Sequence, residues 1–141
     1  MNDKQRNLDG LDIYPTVFSR LRNTYANAKS SAYFSWPGFQ QLCGLCVDHC
    51  YGPSCNGGSP SDTSLADSRT CFEALKELQA SDCADVILSQ FLNVDSTGQK
   101  NGFCLHAAEY IQAIEEVDAL VGHLLAAIRV RKLLFQENWL E

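Results

Sequence analysis

The stretch Gln41-Leu42-Cys43-Gly44-Leu45-Cys46-Val47-Asp48-His49-Cys50 holds three of the chain's seven cysteines in ten residues, at the spacing C-x2-C-x3-C. On a helix turning 100° per residue, Cys43, Cys46 and Cys50 fall at about 0°, 300° and 340°, on one face roughly 60° wide. His49 falls beside that thiol stripe at about 240° and Asp48 on the opposite side at about 140°. The stripe is expected to face inward, so the surrounding chain is read for what it could face.

Working outward, Ser35 before Trp36-Pro37 starts the helix that carries the stripe, with proline tolerated near the first helical position, and it is expected to run to Tyr51. Before it, Leu11, Tyr14, Phe18, Leu21 and Tyr25 recur at spacings of three and four, which predicts a first helix over 12–29, capped by Asp12. Ser30 to Trp36 is read as a short connection. Gly52 to Pro60 is dense in turn-formers and is read as a loop carrying Cys55. From Asp62 or Thr63, the apolar positions Leu65, Phe72, Leu75 and Leu78, then Cys83, Val86, Ile87 and Phe91, predict one bent helix or two in series over 63–92. Asn93 to Gly102 is read as a second loop. Tyr110, Ile114, Val117, Val121, Leu124 and Ile128 then mark a helix from Phe103 to about Glu137, with Gly122 its one weak point. No segment shows strand alternation. The expected fold is all-α, a four-helix bundle of four or five antiparallel helices with inward-facing cysteines, forming a single domain over 1–141.

Composition narrows function. The chain has 141 residues, 45% of them hydrophobic, and a net charge of −6 from 11 basic and 17 acidic side chains. An acidic chain lacks the basic face that nucleic acid or anionic membrane requires. No apolar run serves as a signal segment or reaches membrane-spanning length, so the expected location is the cytoplasm, where cysteines stay as thiols.

From Phe39 to about Val117 the chain resembles the cysteine-rich four-helix-bundle copper-binding proteins of the copper-storage type. Three motifs carry the resemblance: the C-x2-C-x3-C run at Cys43, Cys46 and Cys50 followed by a Gly-Gly loop, Asp82-Cys83-Ala84-Asp85-Val86, and Phe103-Cys104-x2-Ala107-Ala108-Glu109. The resemblance implies a bundle whose inward cysteines hold Cu(I). It would also place cysteines near Ile87, Ala107, Ile111 and Ile114, where this chain has none.

Cu(I) is a soft ion that favours thiolates in a dry interior, and Cys43, Cys46, Cys50, Cys83 and Cys104, with His49 alongside, are the candidate metal ligands. The bland reading makes the same cysteines small buried hydrophobes. Zinc is the weaker metal, because Cys43, Cys46 and His49 on one continuous helix reach only part of a tetrahedron. Cys43-Gly44-Leu45-Cys46 lacks the preceding strand of a thioredoxin-like site. On a helix His106 points about 160° away from Cys104, His123 is read as a core or interface histidine, and Trp36 and Trp139 as packing or interface residues.

The expected function is a non-enzymatic cytoplasmic metal-binding bundle. The alternative is the same scaffold recruited as an enzyme or small-molecule binder with a Cys/His active site. The apolar surface of the last helix, extended by Leu133, Leu134, Phe135, Trp139 and Leu140, predicts a homo-oligomer joined through that helix.

Overall fold

The centre of the molecule is a strand, Ser30–Phe34 (β1), buried along its whole length where the periodicity predicts a connection between helices. The computed structural model describes residues 15–39, 47–53, 55 and 61–140. Its elements run α1 (Val17–Thr24), β1, β2 (His49–Tyr51), α2 (Thr63–Gln79), β3 (Val86–Gln90), α3 (Asn93–Asn101) and α4 (Ala108–Phe135). The strands form one parallel sheet in the order β2-β1-β3, with Ala32 opposite both Cys50 and Leu88.

Alternation along the strands sends Ala32, Phe34, Cys50, Val86 and Leu88 to one face, where Phe18 of α1 packs against Ala32 and Phe34. Phe18 and Phe34 are 1% and 0% exposed, and each such buried side chain stabilises by about 1.5–3 kcal/mol. Gly52, just after β2, lies under the Phe34 ring, which a β-carbon there would strike. The opposite face carries Ser31 and Tyr33 towards Glu77 of α2. Behind α2 lies α4, where the Cys71 thiol meets the Leu120 carbonyl at 3.5 Å.

An α/β fold therefore replaces the expected all-α four-helix bundle. The physical reason is the ambiguity of short apolar runs. A parallel strand covered on both faces shows no polar alternation, so Ser30–Phe34 carries no period to read. Val86-Ile87-Leu88 is short and β-branched at two of three positions, which favours a strand, yet its spacing from Cys83 also fits a helix. His49-Cys50-Tyr51 pairs with Ser31-Ala32-Tyr33 and so leaves the helix expected over 36–51. The segment expected as a loop over 93–102 forms α3, which stops at Gly102, a residue at φ 95° whose amide donates to the Gly98 carbonyl at 2.8 Å.

The helix signals fared better. Asp62 caps α2, its carboxylate accepting from the Ser64 and Leu65 amides at 2.9 and 3.3 Å. The last helix runs unbroken through Gly122. On it, Arg131 is 3% exposed and donates to the Leu78 carbonyl at 3.0 Å, to the Ala80 carbonyl and to Glu137, so a cation closes the carboxyl end of α2. Among the described residues no helix is long and apolar enough to cross a membrane.

Candidate functional site

From β1 the chain pairs to one side as β2, then crosses to the other side as β3. In an open parallel sheet such a reversal leaves a crevice at the carboxyl ends of the two diverging strands, here β1 and β3, and ligands settle there. At this position stand Ser35 and Trp36 after β1, and Gln90 at the end of β3 with Leu92 and Asn93 after it.

Two side chains tie these borders together. Gln90 accepts the Trp36 amide on Oε1 at 3.1 Å, while its own carbonyl accepts the Ser35 amide at 3.2 Å. Asp67 of α2, 1% exposed, takes the Leu92 amide and the Ser35 hydroxyl on Oδ1 and the Asn93 amide on Oδ2, both amides at 2.8 Å. Asn93 extends the network: its Oδ1 accepts from Thr63 at 2.7 Å, and its Nδ2 donates to Glu116 of α4 at 3.1 Å. Glu116 also accepts from Ser64 and Gln112, both at 2.9 Å. Asp95, exposed in the first turn of α3, accepts from Gln99 at 2.8 Å. The indole of Trp36 is 44% exposed beside this network. Chemically this end of the sheet presents an aromatic surface and an acidic rim, while the amides of Ser35, Trp36, Leu92 and Asn93 are engaged within the protein.

The amino end of the sheet carries a second polar cleft, of about 410 Å³, lined by residues that include Lys29, Asp48, His49, Glu77 and Asp82. There Glu77 accepts from the Ser31 hydroxyl at 2.8 Å, the Ala84 amide at 3.0 Å and the Tyr33 hydroxyl. Burial first, and the Glu77 hydrogen bond second, push the Tyr33 phenol far above its ordinary range. The cations of this cleft are already engaged, Lys29 with Asp82 and Lys76 with Glu73.

Among the described residues, the cysteines expected to share a metal lie on different elements. Cys43 and Cys46 fall outside the described residues. Cys50 on β2 forms a disulfide with Cys55 across the turn at Gly52. Cys83 is half-buried just ahead of β3, on the opposite edge of the sheet from β2, and Cys104 is exposed between α3 and α4. His49, His106 and His123 are exposed. Burial, partly offset by the Arg131 charge, raises the Cys83 thiol to about 11, and a protonated thiol is a poor ligand. Among the described residues no group of three or more His, Cys, Asp or Glu side chains could hold a metal ion. The all-helical bundle core expected to enclose a Cu(I) thiolate centre is replaced by the parallel sheet.

Sequence reasoning missed Ser35, Asp67, Gln90, Asn93 and Glu116. The available signal was polar residues directly following short β-type runs: Ser35 after Ala32-Tyr33-Phe34, and Gln90 and Asn93 after Val86-Ile87-Leu88.

No curated protein and no solved structure matches the chain. A family model does, over residues 1–138, and its description is type I phosphodiesterase / nucleotide pyrophosphatase. That match spans nearly all of the sequence, whereas the resemblance to copper-storage bundles rests on short cysteine motifs and is contradicted by the parallel sheet. The copper-binding, all-helical identity is accordingly withdrawn, and the chain belongs to the type I phosphodiesterase / nucleotide pyrophosphatase family.

Proposed function

We propose that this protein acts on phosphodiester or pyrophosphate bonds of nucleotide-like substrates, bound in the crevice at the carboxyl ends of β1 and β3. The carrying observation is the family match over 1–138. The exposed Trp36 indole supports it as a surface on which a flat base can stack. The enzyme reading, the lesser of the two sequence expectations, thus replaces the metal store.

Asp62, Asp67, Asp95 and Glu116 make the surroundings acidic, and like charges disfavour a bare phosphate. Binding is therefore expected to strengthen when a divalent cation accompanies the ligand. The test is hydrolysis of a nitrophenyl ester of a nucleoside 5′-monophosphate, with and without magnesium, alongside calorimetric titration with the monophosphate. Cation-assisted binding with turnover supports the proposal. Neither binding nor turnover under any condition refutes it.

The cytoplasmic location stands as a proposal that the Cys50–Cys55 disulfide puts to the test, since such bonds persist in oxidising compartments and are rare in reducing ones. Alkylation of freshly lysed cells followed by peptide mass spectrometry should find Cys50 and Cys55 as free thiols if the location is right. Pairing of the two would move the protein to an oxidising compartment. Assembly through the last helix is likewise proposed, on Leu133 and Leu134 being 82% and 71% exposed. Light scattering at micromolar concentration should then show at least a dimer, and a full-length monomer would rule it out.

A further inference from the structure

The buried carboxylate of Asp67 stands between the two strand ends that border the crevice, yet its oxygens are occupied by main-chain and hydroxyl donors and leave nothing for a ligand. We infer that Asp67 is a positioning residue: it sets the spacing between Ser35-Trp36 after β1 and the Leu92–Asp95 turn after β3, and thereby the affinity of the crevice for a nucleotide phosphate. This rests on the reading of the crevice as the phosphoester site.

Its geometry is specific to a carboxylate. Oδ1 serves Leu92 and Ser35 and Oδ2 serves Asn93, so both oxygens face donors. Asparagine has nearly the same shape but must turn an NH2 group towards one of those donors. The Ser35 hydroxyl has a second acceptor within 3.4 Å, the Gln90 carbonyl, and can turn to it. The Asn93 amide has no such freedom, because the same residue is fixed by Thr63 and Glu116 on its side chain. An Asp67→Asn change therefore opens the Leu92–Asn93 turn and, with it, the first turn of α3 where Asp95 sits. A Ser35→Ala change releases only the β1 side.

The control is at the other end of the same sheet. Glu77 also accepts three hydrogen bonds, in a cleft at the amino ends of the strands. Glu77→Gln lowers stability without touching the crevice, so a purely structural role for Asp67 would make the two variants alike.

The experiment uses the full chain carrying Trp139→Phe, which leaves Trp36 as the single tryptophan. Trp36 fluorescence is titrated with a nucleoside 5′-monophosphate and magnesium at a temperature where every variant is folded by circular dichroism. Asp67→Asn is expected to weaken binding about tenfold or more, Ser35→Ala by less, and Glu77→Gln not at all. Hydrogen exchange, which needs no ligand, should show faster exchange over 92–98 in Asp67→Asn with α4 unchanged. Binding by Asp67→Asn equal to the parent, equal weakening in Asp67→Asn and Glu77→Gln, or exchange rising uniformly would overturn the inference. Absence of binding by the parent protein would instead overturn the site itself, and the positioning role with it.

Discussion

At the carboxyl end of the sheet Asp67 is 1% exposed and accepts two main-chain amides and a hydroxyl, whereas at the amino end Asp48 keeps 46% of its side chain exposed and Asp82 keeps 81%. Both ends join β1 to its neighbours through carboxylates, but in different surroundings. Donors to a buried acceptor have no water to fall back on, so losing the acceptor costs their full desolvation. Exposed ion pairs such as Arg22–Asp48 and Lys29–Asp82 exchange one well-solvated state for another. Rigidity therefore belongs to the end where the chain reverses across the sheet, which is also the end proposed to hold the ligand.

The sharpest break in that comparison comes from Asp67→Ala, which orphans the Leu92 and Asn93 amides and leaves the Ser35 hydroxyl only the longer bond to the Gln90 carbonyl. A loss on the order of 3–5 kcal/mol in urea unfolding is expected. A loss comparable to that of a surface substitution would mean water replaces the carboxylate, and the carboxyl end would not be the rigid one.

Second in size is Glu77→Ala. Glu77 is the half-buried exception at the amino end, and its removal strands Ser31, Tyr33 and the Ala84 amide beside a cleft that water can enter. The expected cost is about 2 kcal/mol, below that of Asp67→Ala, because the freed groups can be partly rehydrated. The reverse order of the two losses would invert the contrast between the ends.

How much of this was legible in the sequence divides along the same physical line. Helices with one solvated face announce themselves, so Asp62, the amphipathic run of α2 and the seam from Tyr110 to Ile128 were readable. β1 and β3 were not. Both are five-residue strands, one buried on both faces and the other half-buried throughout, and such runs have neither the length nor the alternation that separates strand from helix. The site depended on them. Ser35 and Asn93 become neighbours of Asp67 only once β1 and β3 lie side by side, a pairing between residues 56 positions apart, as Ala32 and Leu88 are, that no local period encodes. The cysteine stripe misled for a related reason: Cys50 pairs with a strand, so the helical angles never applied to it.

A third test uses acid. The Ser30 amide above all, opposed next in size by burial and then aided by the Ser30 hydroxyl and the Arg22 charge, holds the Asp48 carboxyl below its ordinary range. A carboxylate whose folded pKa is depressed contributes stability above its unfolded pKa and loses it as pH falls through the folded value. Stability should therefore drop as pH is lowered below about 4, the ordinary aspartate range, and the drop should be shallower in Asp48→Asn. Identical acid slopes in the two proteins would show that the Asp48 bonds do not persist in solution.

The smallest effect expected is that of Lys29→Ala. Hydrogen bonding and attraction to Asp82, both exposed, raise the Lys29 pKa, so any stabilisation is present below the ordinary lysine range and fades only as pH climbs through the raised value. At neutral pH the ammonium is charged in either state, and water competes for both partners. The melting temperature should then move by less than about 2 °C, and 0.5 M salt should erase what difference there is. The Lys29 amide is a separate matter, since it donates to Asp85 at 2.8 Å through the main chain and survives the substitution. A large, salt-resistant loss in Lys29→Ala would mean that the amino cleft is drier than its exposure implies, and that the two ends of the sheet are held alike.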